Sequence, residues 1–122
     1  MSALIVVCLV IAAVIHLLPV PGILGAAWLE RLYGSRIDDP DMLVMMRHRA
    51  LMFGIVGGIL IAAAIRSEWR GLDVVVGLVS AAGFLVIAGL VGGYGDKIRR
   101  VVIADVVAVV ALVIAGAALI WG

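Results

Sequence analysis

Apolar residues run along this chain in four long, nearly unbroken stretches, and the charged residues fall almost entirely in the short segments between them. A helix needs about 20 apolar residues to cross about 30 Å of hydrocarbon, so each stretch predicts one membrane span. The first covers residues 3–29, interrupted by His16 and by Pro19 and Pro21. The second covers 42–65, the third 72–91 with Asp73 in its first turn, and the fourth 98–121 with Asp105 inside it. Strands of a membrane barrel alternate polar and apolar residues over about 10 positions, whereas these runs are apolar throughout. The expected fold is all-α: an integral membrane four-helix bundle in one transmembrane domain, residues 1–122.

Composition agrees. The chain is 66% hydrophobic and 14% charged, with a mean hydropathy of +1.35, against about 45–50% and about 25% in soluble domains. Disordered chains deviate in the opposite direction. A net charge of +1 gives no reason to expect a nucleic-acid partner, and the single Cys8 cannot form an internal disulfide. No Lys or Arg precedes the first apolar stretch, and its small-residue site Gly25-Ala26-Ala27 follows two prolines. The stretch is therefore expected to stay as a span rather than be cleaved as a signal peptide.

Lys and Arg set the expected orientation, because positively charged short loops stay cytoplasmic. Seven of them (Arg31, Arg36, Arg47, Arg49, Lys97, Arg99 and Arg100) fall on one side, and only Arg66 and Arg70 on the other. Both termini are thus expected outside. Aromatic residues favour the two interfaces, with Trp28, Tyr33 and Tyr94 on the basic side and Trp69 and Trp121 opposite. The segment 33–37 is echoed 61 residues later at 94–98, so a two-helix duplication is one reading of the pattern.

Helices in lipid associate through small residues that let backbones approach. Gly54 with Gly58, Gly89 with Gly93, and Ala104, Ala108, Ala111 and Ala115 supply such spacings. Packing within the bundle is the expected use; a homo-oligomer or a membrane-complex partner is the alternative.

Polar residues inside spans carry the functional information, because each costs roughly 2.5–3.5 kcal/mol at a helix centre and so faces protein or water. Asp105 lies about 12 Å along its helix from Lys97 at 1.5 Å per residue. Arg47, His48 and Arg49 occupy the first turns of the second span, and three consecutive positions fan over about 200°, so at least one points inward. Asp105 is expected to pair with Arg47 or Arg49. His16 lies roughly 20 Å from the start of its helix, just inward of the midplane. Pro19 and Pro21 free the carbonyls of Ile15 and Leu17, on either side of it. Beyond that break, residues 22–33 either finish the span or lie along the interface, their apolar content favouring the first. His16, Arg47, His48, Arg49 and Asp105 together outline a polar pocket in the inner leaflet. Each also has a structural use: arginines snorkel to headgroups, and a histidine or aspartate ties helices together.

Specific chemistries are mostly set aside. His16 and His48 lie on consecutive helices, as in membrane haem proteins, but without a supporting pattern. Met42, Met45 and Met46 near His48 would suit Cu(I), yet methionine is more commonly core filler. Neither haem nor copper is expected, nor any other cofactor. Catalytic Ser-His-Asp order, metal-type Cys/His spacing and a phosphate-binding glycine loop are all missing, which makes a self-contained enzyme the less favoured class.

A proline-broken first helix, then Leu32-Tyr33-Gly34, Asp39-Pro40 and an arginine-bearing start to a glycine-rich second helix resembles the small four-helix bacterial membrane proteins grouped around DoxX. The resemblance covers Pro19 to Gly58. It implies a bacterial inner membrane and a four-helix bundle, and partners in redox or quinone-linked systems for some members; it supplies no catalytic residues. The leading expectation is binding of an amphipathic ligand, a lipid or quinone, with membrane lipids as partners. A structural or accessory subunit is the competing class, and a proton-coupled transporter using Asp105 a third.

Overall fold

The computed structural model describes residues 2–33 and 39–121, and among these it contains five α-helices and no strand. They are α1 (Ser2–Leu17), α2 (Ala26–Tyr33), α3 (Pro40–Ile65), α4 (Arg70–Val91) and α5 (Asp96–Trp121). Four stretches are long and apolar enough to cross a membrane: Ala3–Leu24, Pro40–Ile65, Ser67–Val91 and Asp96–Trp121. By element length and composition this is a multi-pass membrane protein.

The first span differs from the expected 3–29. Proline cannot donate the backbone bond that continues a helix, and α1 stops at Leu17, giving way to a 3₁₀ turn over Val20–Leu24. Gly25 then adopts φ +138°, a conformation that side chains rarely tolerate, and the chain changes direction there. Residues 26–33 consequently do not continue α1. They form the separate helix α2, which lies against the 3₁₀ turn and α5, with Leu29 fully buried over Gly22.

The other spans start slightly earlier than the apolar pattern suggests, because their first turns are polar. Asp39 caps α3, its side chain accepting from the Asp41 amide at 3.3 Å, with Pro40 next, where its missing donor costs nothing.

α1 packs on α3 and α5, and α4 packs on the other sides of the same two helices. Contacts of Gly57 with Leu17 and of Gly54 with Val20 run α1 and α3 antiparallel; those of Gly77 with Leu112 and of Gly116 with Val74 do the same for α4 and α5. α1 and α4 therefore face each other across one diagonal, α3 and α5 across the other. α2 and the starts of α3 and α5 share one end of the bundle, the basic end.

Leu9, Leu60 and Leu112 fill the core, with the small residues Ala12, Ala13, Ala63 and Ala115 between them. Of the expected small-residue contacts, Ala108, Ala111 and Ala115 are buried, and a Cβ added at Gly54 would lie 3.4 Å from Val20 Cγ2. Gly58, Gly89 and Gly93 face open space and pack nothing within the chain. Close approaches are instead at Gly77, where an added Cβ would lie 2.8 Å from Leu112 Cδ1, and at Gly57, where it would lie 2.8 Å from Leu17 Cγ and 3.3 Å from the Ala13 carbonyl oxygen. Residues 34–37, on which the repeat comparison rests, lie outside the described residues.

Candidate functional site

The five residues expected to form one pocket separate into three places. His16 is 1% exposed, at the centre of the bundle. Its Nδ1 lies 2.8 Å from the Ala12 carbonyl oxygen and its Nε2 3.0 Å from Ser80 Oγ. A carbonyl only accepts, so Nδ1 carries a hydrogen, and in the neutral ring Nε2 accepts from the Ser80 hydroxyl. Both nitrogens are thereby engaged, and the ring packs at 5.7 Å from that of Phe53. His16 ties α1 to α4 and, among the described residues, lines neither the cleft that holds Asp105 nor the groove beside Arg47.

Arg47 and His48 are exposed on the outer surface of α3, edging a shallow groove with Ile23, Leu43 and Leu51. Arg47 Nε donates to the Ile23 carbonyl at 2.7 Å, satisfying an acceptor of the broken segment. Consecutive helix positions lie about 100° apart, and Arg49 takes the inward direction instead.

Arg49 sits in an aromatic cage. Its guanidinium carbon is 4.4 Å from the ring centroid of Phe53, 5.2 Å from that of Phe84 and 5.3 Å from that of Tyr33. Its Nη1 donates to the Tyr33 hydroxyl. Cations over ring faces gain more when desolvated, which accounts for a guanidinium held this far from the helix start. Asp105, on the diagonally opposite helix, is 5% exposed. Each lies nine positions after the first residue of its helix, at about 13 Å of rise from the basic end.

The expected Asp105–Arg pair is not formed as a contact. Arg49 Nη2 and Asp105 Oδ2 are both buried without a hydrogen-bond partner, and no ion pair joins Asp105 to Arg47 or Arg49. The aromatic cage explains this, because it anchors Arg49 to α2, α3 and α4 rather than to α5.

What Asp105 does line is a cleft of about 250 Å³ between the end of α1, α2 and the start of α5. Its walls are apolar, from Ile15, Leu18, Leu32, Phe53 and Val101, and Tyr33 stands inside. Arg31, Lys97 and Arg100 edge it. Arg31 also stacks on Trp28 at 5.2 Å, and Lys97 Nζ reaches the Glu30 carbonyl at 3.5 Å.

In the sequence these three cations mark orientation. Their spacing carried more: Lys97, Arg100, Val101, Ala104 and Asp105 fall on one face of a helix. Tyr33, read as an interfacial aromatic, is instead 6% exposed and bonded to Arg49. Phe53, four residues after Arg49 on the same face, was the local signal for the cage.

At the opposite end Arg70, counted as an outer charge, is buried. It donates to the carbonyls of Ala63 at 3.0 Å and Ala64 at 3.1 Å, closing the last turn of α3. Asp73, one turn later, is buried with Oδ2 unpartnered. Among the described residues no three or more His, Cys, Asp or Glu side chains gather as a metal site would require.

Compared with known proteins, the chain matches no family model, no curated protein and no solved structure.

Proposed function

We propose that this chain is a four-helix membrane protein, with both termini outside, that holds an amphipathic ligand in the cleft at its basic end. The ligand's polar head meets Arg31, Lys97 and Arg100, and its tail lies along Ile15, Leu18 and Val101. The observation that carries this reading is the joint occurrence, in one cleft, of three cations, apolar walls and the buried Asp105. Seven cationic residues against two favour the basic end as the cytoplasmic one. A bacterial inner membrane rests only on the resemblance carried by Pro19 to Gly58.

Of the residues first considered for the pocket, Asp105 lines the cleft and Arg49 stands behind it, fixing Tyr33. His16, Arg47 and His48 serve the fold in this reading. The competing reading, a structural or accessory subunit, draws on those same three residues, since the partners of His16 and Arg47 lie within the chain.

Photolabelling tests it. In vesicles containing a lipid with a photoreactive acyl chain, adducts should concentrate on Ile15, Leu18 and Val101, and Val101→Trp, which fills the cleft, should remove them. Labelling spread evenly over the outward faces of all spans, and unchanged by Val101→Trp, would contradict the reading.

A further inference from the structure

The charges around the cleft narrow the ligand's chemistry, an inference that rests on the cleft being a ligand site at all. The lining carries three cations and one acid, an excess of two positive charges over apolar walls. A quinone head is neutral and would leave this excess uncompensated. A phosphodiester carries a single negative charge. A phosphate monoester carries about −1.5 to −2 near pH 7 and offers three acceptor oxygens, matching the excess in charge and presenting one oxygen to each cation.

Placement supports the same chemistry. The cations come from two separate elements, Arg31 on α2 and Lys97 and Arg100 on α5, and converge on one opening. No carboxylate within 4.0 Å neutralises any of them among the described residues. Arg47, held by the Ile23 carbonyl, and Arg99, exposed where it can reach the headgroup region, edge no part of this cleft. Lys97 also lies in the first turn of α5, a helix of 26 residues whose amide end favours an anion there.

Asp105 sets the depth. Five residues beyond Arg100, about 7 Å further along the axis, it repels an anion and keeps the phosphate at the rim while the chain passes inward. Its Oδ2 is buried with no hydrogen-bond partner.

We infer that the cleft selects an amphiphile headed by a phosphate monoester, drawn from the membrane rather than from water. The test uses the full chain in phosphatidylcholine nanodiscs and native mass spectrometry. Competing probes are phosphatidic acid, phosphatidylmethanol of identical chains as the diester, decylubiquinone as the neutral head, and glycerol phosphate as the chainless monoester.

Phosphatidic acid should bind at least tenfold more tightly than phosphatidylmethanol, with decylubiquinone weaker still and glycerol phosphate unable to compete. Changing Arg31, Lys97 and Arg100 together to Gln should erase the preference for the monoester. Circular dichroism of that variant should match the parent, since all three side chains sit at the rim. Equal binding of the diester or the quinone overturns the monoester assignment, and competition by glycerol phosphate overturns the membrane source. Binding of none of the four to the parent protein removes the ligand-site reading itself.

Discussion

The imidazole of His16 on α1 reaches across the diagonal of the bundle to the hydroxyl of Ser80 on α4, at 3.0 Å. α1 and α4 otherwise pack against α3 and α5 rather than each other, so this bond links two helices that share little surface. Interhelical hydrogen bonds in membranes average about 0.6 kcal/mol, with about 1.7 at the top of the range.

Ser80→Ala should therefore lower stability by about 0.5–1.5 kcal/mol, measured by denaturant titration in detergent. His16→Leu should cost at least as much. With the shared bond gone in either single variant, the double variant should cost clearly less than their sum. Strict additivity would show that the two side chains do not interact.

Glycine positions give a paired test of packing. Gly57→Ala should destabilise by about 1–3 kcal/mol, because its methyl group must displace Leu17 beside a fixed backbone oxygen. Gly58→Ala, one residue on and facing open space, should stay within about 0.5 kcal/mol. Equal effects at the two sites would place the α1–α3 contact elsewhere.

That contrast shows what was legible in the sequence. Four apolar runs separated by charges specify the spans, since length and apolarity are the whole requirement for crossing. The glycine that packs is another matter. Gly54, Gly57 and Gly58 look alike in sequence, and only the rotation of α3 against α1 decides which one faces a neighbour. For the same reason Arg47, His48 and Arg49 could be assigned to one helix start, but not to outer groove or aromatic cage. The prolines predicted a break, whereas the fate of residues 26–33 depended on Gly25 and on the burial of Leu29 over Gly22.

Arg49 and Asp105 face each other across the other diagonal without touching. Opposite charges at one depth in a low-dielectric interior still interact, so Arg49→Leu and Asp105→Asn should each destabilise the protein. Combining them should recover about 0.5–3 kcal/mol relative to their sum. Arg49→Lys should restore only part of the loss, because an ammonium cannot stack flat against the surrounding rings. Full restoration by Lys would show that charge alone matters and that the cage is incidental.

Orientation is tested by cysteine accessibility in a Cys8→Ala background. Ser67→Cys should react with an impermeant thiol reagent added outside intact cells, and Ser35→Cys should react only after permeabilisation. The reverse pattern would place the seven-cation side outside and contradict the topology.

The most direct measurement of the central claim is an experimental structure in lipid nanodiscs without detergent. Elongated density should enter between Leu18 and Val101, with a compact head feature between Arg31, Lys97 and Arg100 and nothing bound around His16. A cleft closed by direct contact between Arg31 and Asp105, with the adjoining density no different from lipid around the other helices, would contradict the account.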